Sequence, residues 1–322
     1  MKETVNLQPA IESSKDIIDR AIMDYQPYAV CLLFSGGSDS LTALHVCQEL
    51  GVKIDFIIHG VTGTGIQQTT DFVRKVAHQS GIKYLEANAG DAYTDYVLRK
   101  GFFGVGKNAH EFTYHLLKAG PFRRVVSRNI RHGKRHRTVL MINGARRLES
   151  ENRKKTMIYP IRRDPSKSAR ENVWVNIINE WHNHSTTDFL EAKNIEQNPV
   201  SKMLCRSGEC MCGSMQSMGD GVEAAACFPE WGTWWKGIRK AVKEKGFTWD
   251  WSEDMPRGLK LEKKGQLNMF QPMCTDCKIQ YSQKEHSILP HDNKSTIPFL
   301  QSLERVEGNN TEVSFLNEMK NQ

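Results

Sequence analysis

Between residues 29 and 87 the chain alternates short apolar runs with amphipathic ones, and few architectures accept that order. AVCLLF (29–34) is a continuous apolar run, as expected of a strand buried on both faces. SLTALHVCQEL (40–50) has helical spacing and ends at Gly51. IDFIIHG (54–60) reads as a second strand, TTDFVRKVAHQSG (69–81) as a second helix stopped by glycine, and IKYLEA (82–87) as a third strand. Strands joined through helices run parallel, so the pattern predicts an α/β fold, a twisted parallel sheet with helices on both faces. An amphipathic helix is expected over 10–26, further helices near 90–100 and 108–131, and a later strand in TVLMING, 138–144.

Beyond about residue 200 the pattern changes, and cysteine, glycine, methionine and tryptophan replace regular periodicity. The 322 residues therefore divide, on sequence, into an N-terminal helix (1–27), an α/β domain (28–198), a C-terminal cysteine-rich lobe (199–282) and a polar tail (283–322) expected to be partly disordered. With 39% hydrophobic and 25% charged residues a packed core is expected. No apolar run approaches the ~20 residues that cross a bilayer, and MKETVNLQPAIESSKDIIDR has no apolar core of a secretory signal. The expected location is cytoplasmic.

The net charge of +7 is moderate, but its distribution is uneven. PFRRVVSRNIRHGKRHR (121–137) carries seven Lys/Arg, two His and no acid. Such a run is either a solvated face or a surface for a polyanion, and residues 123–137, from Arg123 to Arg137, are the candidate nucleic-acid contact.

SGGSDS (35–40) lies where the first strand ends and the first helix of the alternation begins. Glycines let the backbone turn with positive φ and bring N–H groups close to a ligand, and the following helix presents its positive end there. Ser35, Ser38 and Ser40 can donate to phosphate oxygens; Asp39 can cap the helix or help hold Mg²⁺. The alternative is an ordinary strand-to-helix turn. The loop lacks the lysine of GxxxxGK[ST], which argues against ordinary γ-phosphate hydrolysis.

SGGSDS resembles the SGGxDS loop of the PP-loop superfamily, the ATP pyrophosphatases and their sulfonucleotide-reductase relatives. HGVTGTGIQQTTDFV, GARRLES, YPIRRDPSKSARENVWVNIINEWHNHSTTDFL and NPVSKMLCRSGECMCGSM are similar, in the same order, to segments of the PAPS reductase-like family over roughly residues 28–280. The resemblance implies an adenine nucleotide alpha hydrolase-like fold. It gives nucleotide binding to Ser35, Gly36, Gly37, Ser38, Asp39 and Ser40, with Thr62, Gly63 and Gly65 lining the pocket. It gives catalytic roles to Asp39, Arg146 and Arg147, the arginines meeting phosphate or sulfate. It implies ATP and Mg²⁺ as cofactors. The C-terminal ECG-x-H motif and the adjacent Cys-Cys pair of sulfonucleotide reductases are missing. The resemblance therefore points to an ATP pyrophosphatase that forms AMP and pyrophosphate to activate a substrate for sulfur transfer, similar to enzymes of DNA phosphorothioation, with a sulfur-donor protein as partner. The alternatives are a PAPS or APS reductase using Cys205, and a non-catalytic nucleotide-sensing or nucleic-acid-binding subunit.

Of eight cysteines, Cys31 and Cys47 sit in apolar runs and read as core, and Cys227 in EAAACFPEW reads as packed. Cys205-x4-Cys210-x-Cys212, followed by Cys274-x2-Cys277, has the form of a metal site. The expected ligands are Cys210, Cys212, Cys274 and Cys277, with Cys205 as substitute. By analogy with the phosphorothioation enzymes the expected group is a 4Fe–4S cluster, with Zn²⁺ as alternative. The tryptophans of FPEWGTWWKGIRKAV and FTWDW read as the core of a small lobe, or else as a base-stacking set.

Overall fold

A computed structural model describes residues 6–166 and 169–256. Helix α1 (Gln8–Tyr25) precedes β1 (Ala29–Leu33), α2 (Ser38–Glu49), β2 (Phe56–Val61), α3 (Gln67–Ser80) and β3 (Lys83–Asn88). Then follow α4 (Ala92–Lys100), α5 (Lys107–Tyr114), α6 (Gly120–Val125), β4 (Val139–Asn143), α7 (Glu151–Thr156), β5 (Ile161–Arg163) and β6 (Asn172–Asn176). Helices α8 (Asn183–Ala192), α9 (Pro199–Leu204), α10 (Met218–Cys227) and α11 (Pro229–Glu244) complete the described elements.

The strands form one sheet in the order β3-β2-β1-β4-β6-β5. All neighbours pair parallel except β5, which runs antiparallel to β6. The fold is thus α/β with a mostly parallel sheet. The antiparallel edge departs from the all-parallel expectation. A three-residue strand with two exposed arginines suits an edge, where one side of its backbone stays unpaired. The buried strand NVWVN, β6, was not expected; it lies within the segment expected only to resemble the family.

Alternation along the strands explains the apolar runs. Leu32, Leu140, Val173 and Val175 face one side, against Ile18, Leu44 and Phe189 from α1, α2 and α8. Cys31, Met141 and Trp174 face the other, against Phe122, Val126 and Ile130. With both faces covered, every position in β1 must be apolar. Cys31 and Cys47 are buried, as expected.

The helix expected over 108–131 is broken into α5, a π-turn (His115–Ala119), α6 and a second π-turn (Val126–Ile130). The first π-turn precedes Gly120-Pro121, where proline has no N–H to give a carbonyl one turn back. The expected boundary at 198 falls on the N-cap of α9, whose Asn198 side chain accepts from the Val200 amide. Past α9 the chain returns to the sheet: Thr62 donates to the Glu209 carbonyl at 2.8 Å, and the Met211 amide donates to Thr64 Oγ1 at 3.1 Å.

The tryptophans form a third core. Trp231, Trp235, Trp249 and Trp251 are buried with Tyr93, Val97 and Phe102. Three of the four indole N–H groups find carbonyls: Trp231 at Thr64, Trp249 at Phe102, Trp251 at Met211; buried Trp235 Nε1 has no hydrogen-bond partner among the described residues. Packing, not base stacking, occupies these rings. Cys227 differs from expectation: it ends α10 and is exposed. The polar tail from residue 283 lies outside the described residues.

Candidate nucleotide site

The site starts at the carboxyl end of β1. Gly36 has φ +75°, a conformation that L side chains rarely adopt, and a Cβ there would lie 2.9 Å from Val73 Cγ2. Gly37 is the N-cap of α2 in extended geometry, and no side chain caps the helix. Asp39 therefore does not serve as a cap, and the first amides of α2 have no side-chain partner. Ser40 Oγ donates to the Gly37 carbonyl at 2.9 Å and lies 3.1 Å from Ser35 Oγ, which sets the loop's shape.

Asp39 is paired instead. Arg146 Nε lies 2.9 Å from Asp39 Oδ1, and the arginine side chain is almost fully buried. Burial pushes the Asp39 carboxyl above its ordinary value, while the Arg146 charge pulls it back. The turn that carries Arg146 fits because residue 144 is glycine: a Cβ there would sit 2.7 Å from the Ser40 amide nitrogen. Arg147 points elsewhere. Its Nε donates to the Lys154 carbonyl at 3.2 Å and its Nη1 is 3.8 Å from Glu180.

The loop opens on a cavity of about 830 Å³. Ser35, Gly37, Ser38, Asp39, Ser40 and Arg146 line it, together with Cys205, Arg206 and Ser207 after α9. Sequence reading missed its other charged groups: Lys118, Glu149, Arg153, Arg162 and Glu209. Lys118 comes from the first π-turn and forms an ion pair with Glu209, whose side chain is 5% exposed. Burial alone would lower the Lys118 ammonium's pKa, but Glu209 outweighs it and holds it above its ordinary value. Glu209 Oε1 lies 3.9 Å from His59 Nδ1, which is itself 2.9 Å from the Phe34 carbonyl. A Cβ on Gly60 would meet that same oxygen at 3.0 Å. The only sequence signal for this pair was the glutamate of the GEC segment.

Thr62 is buried, and with Thr64 it braces the 209–211 segment from behind. A Cβ on Gly65 would lie 2.5 Å from the Glu209 carbonyl oxygen. Gly63 and Gly65 line a separate, smaller cleft of about 220 Å³ beside Trp231 and Trp234. The motif that was expected to touch nucleotide thus shapes the wall that carries Glu209.

Among the predicted metal ligands, Cys210 and Cys212 are neighbours. A hydrogen bond from Cys210 lowers the pKa of the Cys212 thiol despite its burial, and raises that of Cys210 well above its ordinary value. Cys212 Sγ lies 3.2 Å from Ser214 Oγ. Cys274 and Cys277 lie outside the described residues. Among the described residues no group of three or more His, Cys, Asp or Glu is gathered to hold a metal ion. Two thiols do not make a four-thiolate site, so neither the 4Fe–4S nor the Zn²⁺ expectation has support here. Cys205 stands apart from that pair: it is exposed, with φ +53°, and lines the large cavity.

Fold and site define an α/β nucleotide-binding domain whose glycine loop faces a cationic cavity at the carboxyl edge of the sheet. The chain belongs to the phosphoadenosine phosphosulfate reductase domain family, whose pattern matches residues 29–215. Membership supports a nucleotide-using activity. No curated protein matches the chain. Similar solved structures include the phosphoadenylyl-sulfate reductase of Candida auris, at 15% identity and TM-score 0.41, covering 59% of this chain and 83% of that one. The FMN adenylyltransferase of Candida glabrata, with FAD and pyrophosphate, is 12% identical with TM-score 0.46; 63% of this chain covers 64% of that enzyme. The NMN synthetase of Francisella tularensis is 13% identical with TM-score 0.45, covering 84% of this chain and 100% of that one. Among the described residues no helix is long and apolar enough to cross a membrane.

Proposed function

We propose that the cavity takes MgATP and cleaves it between the α- and β-phosphates, to activate an acceptor for sulfur transfer. An acceptor oxygen attacks the α-phosphorus, the bond to the bridging oxygen breaks, and pyrophosphate leaves. A sulfur nucleophile then displaces AMP from the adenylylated acceptor. The observation that carries this reading is the uncapped start of α2, whose Ser38, Asp39 and Ser40 line a cavity whose other walls bear Arg146, Lys118 and Arg162. Such a site neutralises and positions phosphates, which is most of what phosphoryl and adenylyl transfer require.

Ser35, Ser38, Ser40 and the amides of 36–40 would hold the phosphates. Asp39 would orient Arg146 and stand within reach of the Mg²⁺ that arrives with the nucleotide. Arg147 would act indirectly, by fixing the turn against Glu180. A sulfur-donor protein completes this reading.

Incubation with MgATP followed by product separation tests it. AMP and pyrophosphate are expected. ADP would overturn the reading, and tight binding without turnover would replace it with a nucleotide sensor.

A second reading is favoured by one observation: Cys205 is exposed and lines the same cavity. A thiolate there could attack the sulfate sulfur of a sulfonucleotide. Thiol-dependent sulfite release from PAPS or APS, lost in Cys205→Ser, would establish reduction in place of ATP cleavage.

A further inference from the structure

The helical run over residues 107–130 ends far from where it begins. Lys118 and Phe122 line the cavity at the carboxyl edge of the sheet. Phe122, Val126 and Ile130 then descend along the sheet face, and residues 131–138 turn into the amino end of β4. The last part of the basic run therefore sits at the amino edge, opposite the glycine loop.

The fold itself uses three of the seven cations in 121–137. Arg123 pairs with buried Asp164 at 2.8 Å. Arg131 Nε donates to the Arg137 carbonyl at 2.8 Å. Arg137 lies over the Tyr28 ring, 4.0 Å from its centroid. The other four, Arg124, Arg128, Lys134 and Arg135, are exposed. Among the described residues none of the four makes an ion pair. Two acids at this edge are already occupied: Asp55 accepts from the Val30 amide, and Glu171 accepts from Thr138 and Arg163.

Tyr28 adds an aromatic surface. It is 51% exposed, and its amide donates to the Thr138 carbonyl, which ties it to the same edge. One face carries the Arg137 guanidinium. An arginine-backed ring beside three unpaired cations matches what single-stranded nucleic acid needs: phosphate neutralisation and a platform for a base. A duplex keeps its base faces stacked and gains nothing from the ring. Arg124 is not part of this edge, because its guanidinium lies near Gly120 at the cavity end of the run. We propose that this amino edge docks single-stranded nucleic acid through Arg128, Lys134, Arg135 and Tyr28. The proposal does not depend on ATP cleavage, because docking edge and cavity lie at opposite ends of the strands.

The test is a fluorescence anisotropy titration of the full chain with a labelled single strand of about 20 nucleotides, at several salt concentrations. Three phosphate contacts predict a log–log salt slope of about −2. The variant R128A/K134A/R135A should bind at least ~10-fold more weakly, with a flattened slope. Tyr28→Ala should weaken single-strand binding about fivefold or more, and Tyr28→Phe should not. Unchanged melting temperatures would establish that the variants fold. The proposal is overturned by no binding at about 50 mM salt, or by full affinity in the triple variant. Equal affinity for duplex, heparin or anionic vesicles, with Tyr28→Ala silent, would also overturn it.

Discussion

Arg146 reaches from the turn after β4 to place Nε 2.9 Å from Asp39 Oδ1 in the first turn of α2. The pair joins two adjacent strand ends across the mouth of the cavity. Removing Asp39 leaves the almost fully buried Arg146 charge alone, which typically costs about 3–5 kcal/mol, whereas removing Arg146 leaves Asp39, 28% exposed, facing the cavity, and should cost less. Arg146→Ala and Asp39→Ala should each destabilise the fold and weaken ATP binding at least ~10-fold. The double variant should cost less than the sum, with a coupling of about 1–3 kcal/mol in urea unfolding. Strict additivity would mean the two groups act separately.

Gly144 is where β4 passes closest to the glycine loop. A methyl group there would press on the Ser40 amide and the Asp39 carbonyl, both backbone atoms. Gly144→Ala should cost about 1–3 kcal/mol and impair nucleotide binding. Gly237 in α11 is the control: a Cβ there meets nothing within 4 Å. Gly237→Ala should stabilise by about 0.5–1 kcal/mol, as alanine does in an open helix interior. Thermal melts of the two variants should shift in opposite directions.

Lys118 and Glu209 come from positions 91 residues apart and meet on the cavity wall. Glu209→Ala leaves a half-buried ammonium unpaired beside the site and should cost about 1–3 kcal/mol. Replacing both, as in Lys118→Met with Glu209→Gln, should recover part of that loss. Urea unfolding of the single and double variants measures it.

A capping box closes the start of α10: Ser217 Oγ accepts from the Asp220 amide, and Asp220 accepts from the Ser217 amide. The Arg206 guanidinium, 2.7 Å away, and the Ser217 amide hold the Asp220 carboxyl down to about 2, below its ordinary 3.8. A carboxyl with a lowered folded value stabilises fully above its ordinary value and loses that contribution as pH falls toward 2. Asp220→Asn should therefore cost about 1 kcal/mol at pH 7, with the difference from the parent chain shrinking between about pH 4 and pH 2. A difference that is constant with pH would remove the charge from the explanation.

The sequence by itself determined the elements whose cause is local. An apolar run flanked by glycine and serine must be a buried strand ending in a turn, so β1, the loop at 35–40 and α2 were legible, as were β2, α3, β3 and β4. Helical periodicity marked 108–131 but did not place the two π-turns. Strand β6 was hidden because its asparagines and tryptophan mask an apolar pattern that appears only when both sheet faces are known. Tertiary structure alone decided which charges meet. Arg146 found Asp39 while Arg147 turned to Glu180, and Lys118 found Glu209. Periodicity constrains which way a side chain points from its own element. It says nothing about which distant segment stands opposite, and that is set by the order in which the strands assemble.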